Sequence, residues 1–352
     1  MISSTMREDF SLMAEGIGGS IEALAKTKHI YITGATGQIG WYLTRFFCFL
    51  ISSGRLNCKL TVHARSQTRV DEKFSDQTSL PCDFLVSDDA AAFLKDTSVD
   101  LLIHCASLAS PKHFASTPVD VMIPNGIMTH NLLDRLSKVN PQCKFVYLST
   151  TGVTGHIADE QRPCDEDHYG PLSSSDLKNC YLESKRFGEM LTLAYSQQFN
   201  IPSLIVRPSI TYGPGFDLND GRSYADFIQS LLQKRAIKLS SDGRAIRNFL
   251  YISDFVRGLL TAICMAPTRS VMNIASDQPI SILELATLLN NQIYPFPLGE
   301  VERVEHAEPL RRVEFLSTDA SVDRLKALGW SQLITPLEGF RRTLRHYQEI
   351  AQ

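Results

Sequence analysis

Nowhere do the 352 residues hold an apolar run long enough to cross a bilayer; the most hydrophobic stretch, FFCFLI at 46–51, falls far short of the ~20 residues a spanning helix needs. The N-terminus carries Arg7, Glu8, Asp9 and Glu15 among its apolar residues, so it lacks a leader's continuous apolar segment and reads as an amphipathic helical lead-in. A basic excess is missing as well. Thirty-five Lys and Arg stand against 38 Asp and Glu, a net charge of −3, which argues against a nucleic-acid protein led by a positive surface. The eight cysteines, at 48, 58, 82, 105, 143, 164, 180 and 264, form no C-x-x-C pair and no zinc spacing with histidine, so neither a disulfide framework nor a metal site is expected. No internal repeat is visible. What remains is a chain of 43% hydrophobic and 21% charged residues, expected to be soluble and cytoplasmic with reduced thiols, and long enough for one large α/β domain or two lobes.

Six short apolar runs recur in the first two hundred residues: HIYIT from 29, KLTVHA from 59, DFLVS from 83, DLLIHCA from 100, KFVYLST from 144 and SLIVRPS from 203. Most lack polar alternation, as parallel strands covered on both faces do. Between them lie helical patterns, clearest at 117–139 and 179–199, with further helices near 281–292, 319–328 and 336–350. Strand and helix alternating in this way predict a doubly wound parallel sheet of the Rossmann type. After Pro208 the sequence turns loop-rich, with GPGFDLNDGR and SSDGRAIRN. The expected organisation is a helical extension over 1–27, a dinucleotide-binding domain over 28–207 to which 248–266 returns, and a smaller C-terminal substrate lobe from 208–247 and 267–352.

HIYIT runs directly into GATGQIG, placing Gly34, Gly37 and Gly40 three residues apart between a strand and a helix. Gly34 permits the tight turn, Gly37 lets backbone approach a pyrophosphate, Gly40 lets helix and strand pack closely, and Gln38 and Ile39 open the helix whose N-terminus faces the phosphates. These are candidate contacts for NAD or NADP. The second strand ends His63, Ala64, Arg65 with no acid for ribose hydroxyls, and arginine there suits a 2′-phosphate, so NADP is slightly favoured. Asp88, after the third strand, is a weaker candidate near the adenine.

YLESK places Tyr181 and Lys185 four residues apart on one helix face. Upstream, the fifth apolar run ends at Ser149 and Thr150, where a hydroxyl at a strand's C-terminal end can meet a substrate oxygen. A phenol with a free pKa near ~10 is a poor base at neutral pH, and a neighbouring ammonium would stabilise its phenolate. Thr150, Tyr181 and Lys185 therefore suggest removal of a hydroxyl proton while hydride leaves for the cofactor. An ordinary amphipathic helix with a surface Tyr and Lys is the plainer reading of YLESK taken alone.

With these motifs in hand, the chain after residue 28 resembles the extended short-chain dehydrogenase/reductase family of nucleotide-sugar epimerases and dehydratases. The resemblance is carried by GATGQIG, HCASLASP at 104–111, Asn125 in PNGIMTHNLL, LSTTGVTG, YLESK, VRPSITYGPG, NDGR at 219–222 and RNFLYISD at 247–254. Within the family these motifs look most like the branch of UDP-glucuronate decarboxylases and dTDP-glucose 4,6-dehydratase-like proteins of polysaccharide biosynthesis. The resemblance implies that Thr150, Tyr181 and Lys185 are catalytic, and that Ala106, Ser107, Asn125, Tyr181, Lys185, Arg207 and Pro208 lie by the cofactor. It further implies that Thr151, Arg222, Arg247 and Arg311 or Arg312 meet a nucleoside diphosphate sugar, guanidinium groups being suited to a diphosphate. A homodimer through the helices at 117–139 and 179–199 is implied as well.

The chain also departs from that branch. Where its dehydratases and decarboxylases carry an acid just after the catalytic hydroxyl, this sequence has Thr151 and Gly152, neither of which can act as a carboxylic acid. Thr154 and Ile210 replace a usual Tyr and Asn. The expected activity is therefore 4-epimerisation through a transient 4-keto sugar, with NADPH-dependent reduction of a 4-keto sugar as the alternative. A dehydratase or decarboxylase, a catalytically silent cofactor-sensing Rossmann protein, and a dehydrogenase of a sterol- or flavonoid-type substrate rank lower.

Overall fold

Seven parallel strands form the central sheet in the order β7-β6-β5-β4-β1-β2-β3, where β1 is His29–Thr33, β2 Lys59–Ala64, β3 Asp83–Val86, β4 Leu101–His104, β5 Lys144–Leu148, β6 Ser203–Pro208 and β7 Ser270–Ile274. This computed structural model describes residues 2–219, 221–303 and 319–351. All five residues of β1 are buried, as a strand covered by helices on both faces requires, whereas β3, at the sheet edge, is only half-buried. The six apolar runs of the sequence are β1 to β6. β7 was not among them: its SVMNI is short and carries Asn273, whose side-chain amide donates to the carbonyls of Cys164 and Ser321. The strand order reverses between β1 and β4, which makes the C-terminal ends of those two strands the natural ligand crevice.

Helix α1 (Ser4–Gly16) begins at Ser3, whose hydroxyl accepts the Met6 N–H at 3.2 Å. It buries Met6, Phe10 and Met13 against α2 (Gln38–Ser52), the helix that follows the glycine loop. The pattern expected to make one helix over 117–139 is broken into a helix at Pro118–Ile123, a π-helical turn at Pro124–Met128, and α3 (Thr129–Val139). Pro124 explains the break, because it has no N–H for the helical ladder and its ring displaces the preceding turn. α4 (Cys180–Phe199) runs beside α3, and α5 (Ile252–Met265) packs into the sheet core.

A second apolar cluster, with Tyr212, Phe227, Phe249, Leu289 and Phe340 among its members, lies apart from the sheet core. The terminal helix α6 (Pro336–Ile350) joins it to α1: Asp9 accepts from Tyr42 of α2 (3.3 Å), Tyr251 (2.6 Å) and Arg342 of α6 (2.7 Å). Among the described residues no helix is long and apolar enough to cross a membrane.

Candidate active site

The glycine loop is shaped by contacts that only glycine allows. Gly34 has φ +74°, and a Cβ there would stand 2.6 Å from the Ala106 backbone; one on Gly40 would stand 2.3 Å from the Gly34 carbonyl oxygen. Beside the loop lies a cavity of about 400 Å³, lined by Gly34, Gly37, Arg65, Asp88, Ala106 and Ser107 among others. Three hydroxyls at the ends of successive strands, those of Ser107 after β4, Ser149 after β5 and Ser209 after β6, are buried without a hydrogen-bond partner. Buried polar atoms left unpaired are costly, so the Ser107 hydroxyl in the cavity wall, with those of Ser149 and Ser209 at the ends of the neighbouring strands, fits a polar ligand such as a dinucleotide. Gln38 and Ile39 open the helix after the loop; the Gln38 side-chain amide donates to the Gly213 carbonyl at 3.3 Å, and the Ile39 side chain packs on the sheet core.

Thr150 follows β5 and caps a short 3-10 turn, Thr151–Thr154, its hydroxyl accepting the Gly152 N–H at 3.2 Å. Thr150 lies close enough to the Tyr181 phenol, in the first turn of α4, to lower its pKa. One turn on, the Lys185 amine donates to the Leu148 carbonyl at 2.5 Å and lies 4.9 and 5.9 Å from the ring centroids of Tyr147 and Tyr181. Burial pushes the Tyr181 phenol up to about 12, opposed by the Arg222 guanidinium and by Thr150. Burial pulls the Lys185 ammonium down to about 7, opposed by Cys105 and Glu189. The Lys185 ammonium therefore loses its proton near neutral pH, and any cation added beside Tyr181 would ease the ionisation of its phenol.

Other candidates fall differently. The Arg207 guanidinium is wholly buried and held by both Glu189 carboxylate oxygens (2.8 and 2.7 Å) and by the Glu166 carbonyl (2.9 Å), so it braces β6 against α4. Pro208 ends β6 half-buried. Asn125 sits in the π turn, where its amide donates to the Val121 carbonyl and to Ser184 of α4, supporting the helix of Tyr181 from behind. Thr151 is buried, and its carbonyl accepts from Thr154. Arg222 stacks over Tyr224 at 5.0 Å and acts electrostatically on Tyr181. Burial and the neighbouring Arg162 lower the Arg247 pKa. Arg311 and Arg312 lie outside the described residues.

Two residues that sequence reasoning did not single out complete the site. A Cβ on Gly152 would stand 2.8 Å from Leu182 Cδ2 and 3.6 Å from the Thr150 hydroxyl, so Leu182 occupies the space where a side chain at 152 would begin. Phe114 stacks on the Tyr181 ring with centroids 5.0 Å apart and planes 12° apart. Both sit inside short motifs, Leu182 in YLESK and Phe114 in the KHF that follows ASP, but neither was given a role.

A reversing parallel sheet with a glycine cradle, and a Thr–Tyr–Lys cluster at its C-terminal edge, define a dinucleotide-binding Rossmann protein of the extended short-chain dehydrogenase/reductase class. The model of the NAD dependent epimerase/dehydratase family matches residues 30–275, and the chain belongs to that family. It is 28% identical over 330 residues to UDP-glucuronic acid decarboxylase 1 of Xenopus tropicalis, covering 92% of this chain and 72% of that one. It is 30% identical over 243 residues to UDP-glucuronic acid decarboxylase 3 of Arabidopsis thaliana, covering 68% of each chain. The match to UDP-glucuronic acid decarboxylase 4 of Arabidopsis thaliana spans 54% of that protein. Its fold is similar to UDP-glucose 4-epimerase of Thermotoga maritima, solved with UDP-glucose (TM-score 0.77, 21% identity, 92% of this chain and 100% of that one). It is also similar to UDP-glucuronic acid 4-epimerase of Bacillus cereus, solved as a Tyr-to-Phe variant with a fluorinated UDP-glucuronic acid and NAD (TM-score 0.73, 21% identity, 92% and 99%).

Proposed function

We propose that the chain is an NAD(P)-dependent nucleotide-sugar 4-epimerase acting through a transient 4-keto sugar. The observation that carries the reading is the Thr150–Tyr181–Lys185 cluster, with the end of Leu182 and no carboxyl group beside Gly152. Tyr181 takes the proton of the C4 hydroxyl, Thr150 hydrogen-bonds the same oxygen, and the charged form of Lys185 favours the phenolate. A nicotinamide held by the Gly34–Gly40 loop would supply the hydride acceptor and donor for this exchange at C4. Elimination of water needs an acid positioned for the leaving group, and the absence of a carboxyl after Thr150 weighs against it. Decarboxylation, named for the relatives, ranks below epimerisation because this chain lacks the carboxyl that the decarboxylase branch carries there.

A second reading, reduction of a 4-keto sugar by NADPH, is favoured by Arg65 at the rim of the cofactor cavity, with Arg69 close by and no acid at the end of β2. The exposed apolar side chains Val119, Met122, Ile123, Ile127, Phe187 and Met190, on the helices before α3 and on α4, support a homodimer. Eight free thiols accord with a reducing compartment such as the cytoplasm.

Proton NMR of the purified chain with NAD+ and either UDP-glucose or UDP-glucuronic acid tests the first reading. The C4 epimer is the expected product, and the Tyr181→Phe variant is expected to give none. Loss of carbon dioxide or of water from the sugar would overturn the epimerase reading, and oxidation of NADPH by a UDP-4-keto sugar would select the second.

A further inference from the structure

Phe114 reaches the site from the short helix Pro111–Ser116, far from α4 in sequence, and meets the first turn of α4 twice. Its ring lies nearly parallel to that of Tyr181, with centroids 5.0 Å apart, and its carbonyl accepts from the Cys180 thiol at 3.9 Å. Tyr181 is thereby flanked on several sides: Phe114 covers one ring face, the Lys185 amine stands 5.9 Å from the ring centroid, and Thr150 lies close enough to the phenol to lower its pKa. A tyrosine side chain has two torsions, and its ring torsion is broad unless packing fixes it. An offset stack supplies that restraint without taking a hydrogen bond from the hydroxyl.

We infer that Phe114 is a positioning residue that acts through Tyr181, fixing the plane of its ring so that the hydroxyl meets Thr150 and keeping water from the ring face. This inference rests on the reading of Tyr181 as the proton-accepting group. The charged and titratable groups around the phenol are Lys185, Arg222 and Tyr147, and none is altered by a change at Phe114.

The test uses the full chain labelled with 13C at tyrosine Cζ, with the Tyr181 resonance assigned by its loss in Tyr181→Phe. In the Phe114→Leu variant, which keeps an apolar side chain without a ring, water regains the phenol and Tyr181 is expected to ionise about one pH unit lower or more. Phe114→Tyr restores a ring and should restore the wild-type titration, a rescue that a merely structural role would not give. Should Phe114→Leu fail to fold by circular dichroism, Phe114→Met carries the same comparison. An unmoved Tyr181 titration in a folded variant overturns the positioning role. An active Tyr181→Phe enzyme overturns instead the reading of Tyr181 as the base, and the two failures are thus distinguishable.

Discussion

Gly152 and Leu182 are packed so closely that a Cβ added to Gly152 would stand 2.8 Å from Leu182 Cδ2. The pair fills the wall next to Thr150 with aliphatic carbon, and a carboxyl can enter only if Leu182 gives way. Gly152→Glu is therefore expected to lower stability by about 1 kcal/mol or less, the cost of turning the half-buried end of Leu182 aside, as read by urea unfolding. Adding Leu182→Ala should recover most of that loss, because it removes the atoms in the way. A Gly152→Glu protein as stable as the wild type would show that Leu182 does not close the position.

Arg207 and Glu189 form a buried ion pair, side chains 0% and 6% exposed, whose two bonds fix β6 to α4. Removing one partner strands the other charge in the interior, so Arg207→Met should cost about 3–5 kcal/mol. The double variant Arg207→Met/Glu189→Leu should regain much of it, since no unpaired charge remains. Calorimetric cofactor titration below the unfolding transition distinguishes this bracing role from a direct cofactor contact. Affinity for NAD+ in the folded double variant is expected to stay within about threefold of wild type, and a loss of about 100-fold would restore Arg207 to the binding site.

Arg65 lines the cofactor cavity at the end of β2, where a ribose 2′ substituent is met in dinucleotide folds. If it recognises a 2′-phosphate, a charge-assisted contact worth about 1.5–3 kcal/mol disappears in Arg65→Ala. The expected result is about a tenfold or greater loss of affinity for NADPH with little change for NADH, measured by quenching of protein fluorescence. Equal losses for both cofactors would remove the NADP preference.

The parts of this molecule that were legible in sequence are those whose physics is local. β1 to β6 are near-continuous apolar runs because helices cover both sheet faces, and Gly34, Gly37 and Gly40 are spaced by the demands of one turn. Tyr181 and Lys185 could be paired because four residues is one helical turn. β7 escaped because it is short and its Asn273 is satisfied by carbonyls from distant loops. Phe114 meets Tyr181, and Arg207 meets Glu166, through the fold alone, and no periodicity encodes such contacts. Arg207 shows the same limit: a motif suggests its place beside the cofactor, while its guanidinium follows the partners that burial provides.

Lys185 offers a test that needs neither substrate nor cofactor. Burial lowers its pKa from the ordinary 10.5 to about 7, so between those values the unfolded chain holds a proton that the folded chain has lost. Stability rises with pH wherever the unfolded state binds more protons, so this residue makes the folded chain gain stability as pH climbs from about 7, by up to about 1.4 kcal/mol per pH unit. Below pH 7 both states are charged and the full cost of burying the ammonium is present. Lys185→Met carries no such cost, and its stability should change less steeply over the same range. Groups not coupled to Lys185 are common to both proteins and cancel, and the Cys105 thiol, which burial pushes up to about 12 and Lys185 lowers, stays protonated in the folded chain between pH 7 and 8.5 with or without Lys185. Urea unfolding of the two proteins at pH 7 and pH 8.5 gives the difference directly. The gap should shift in favour of the wild type as pH rises, and parallel stability curves would mean that Lys185 keeps an ordinary ammonium, fully charged beside Tyr181 at neutral pH.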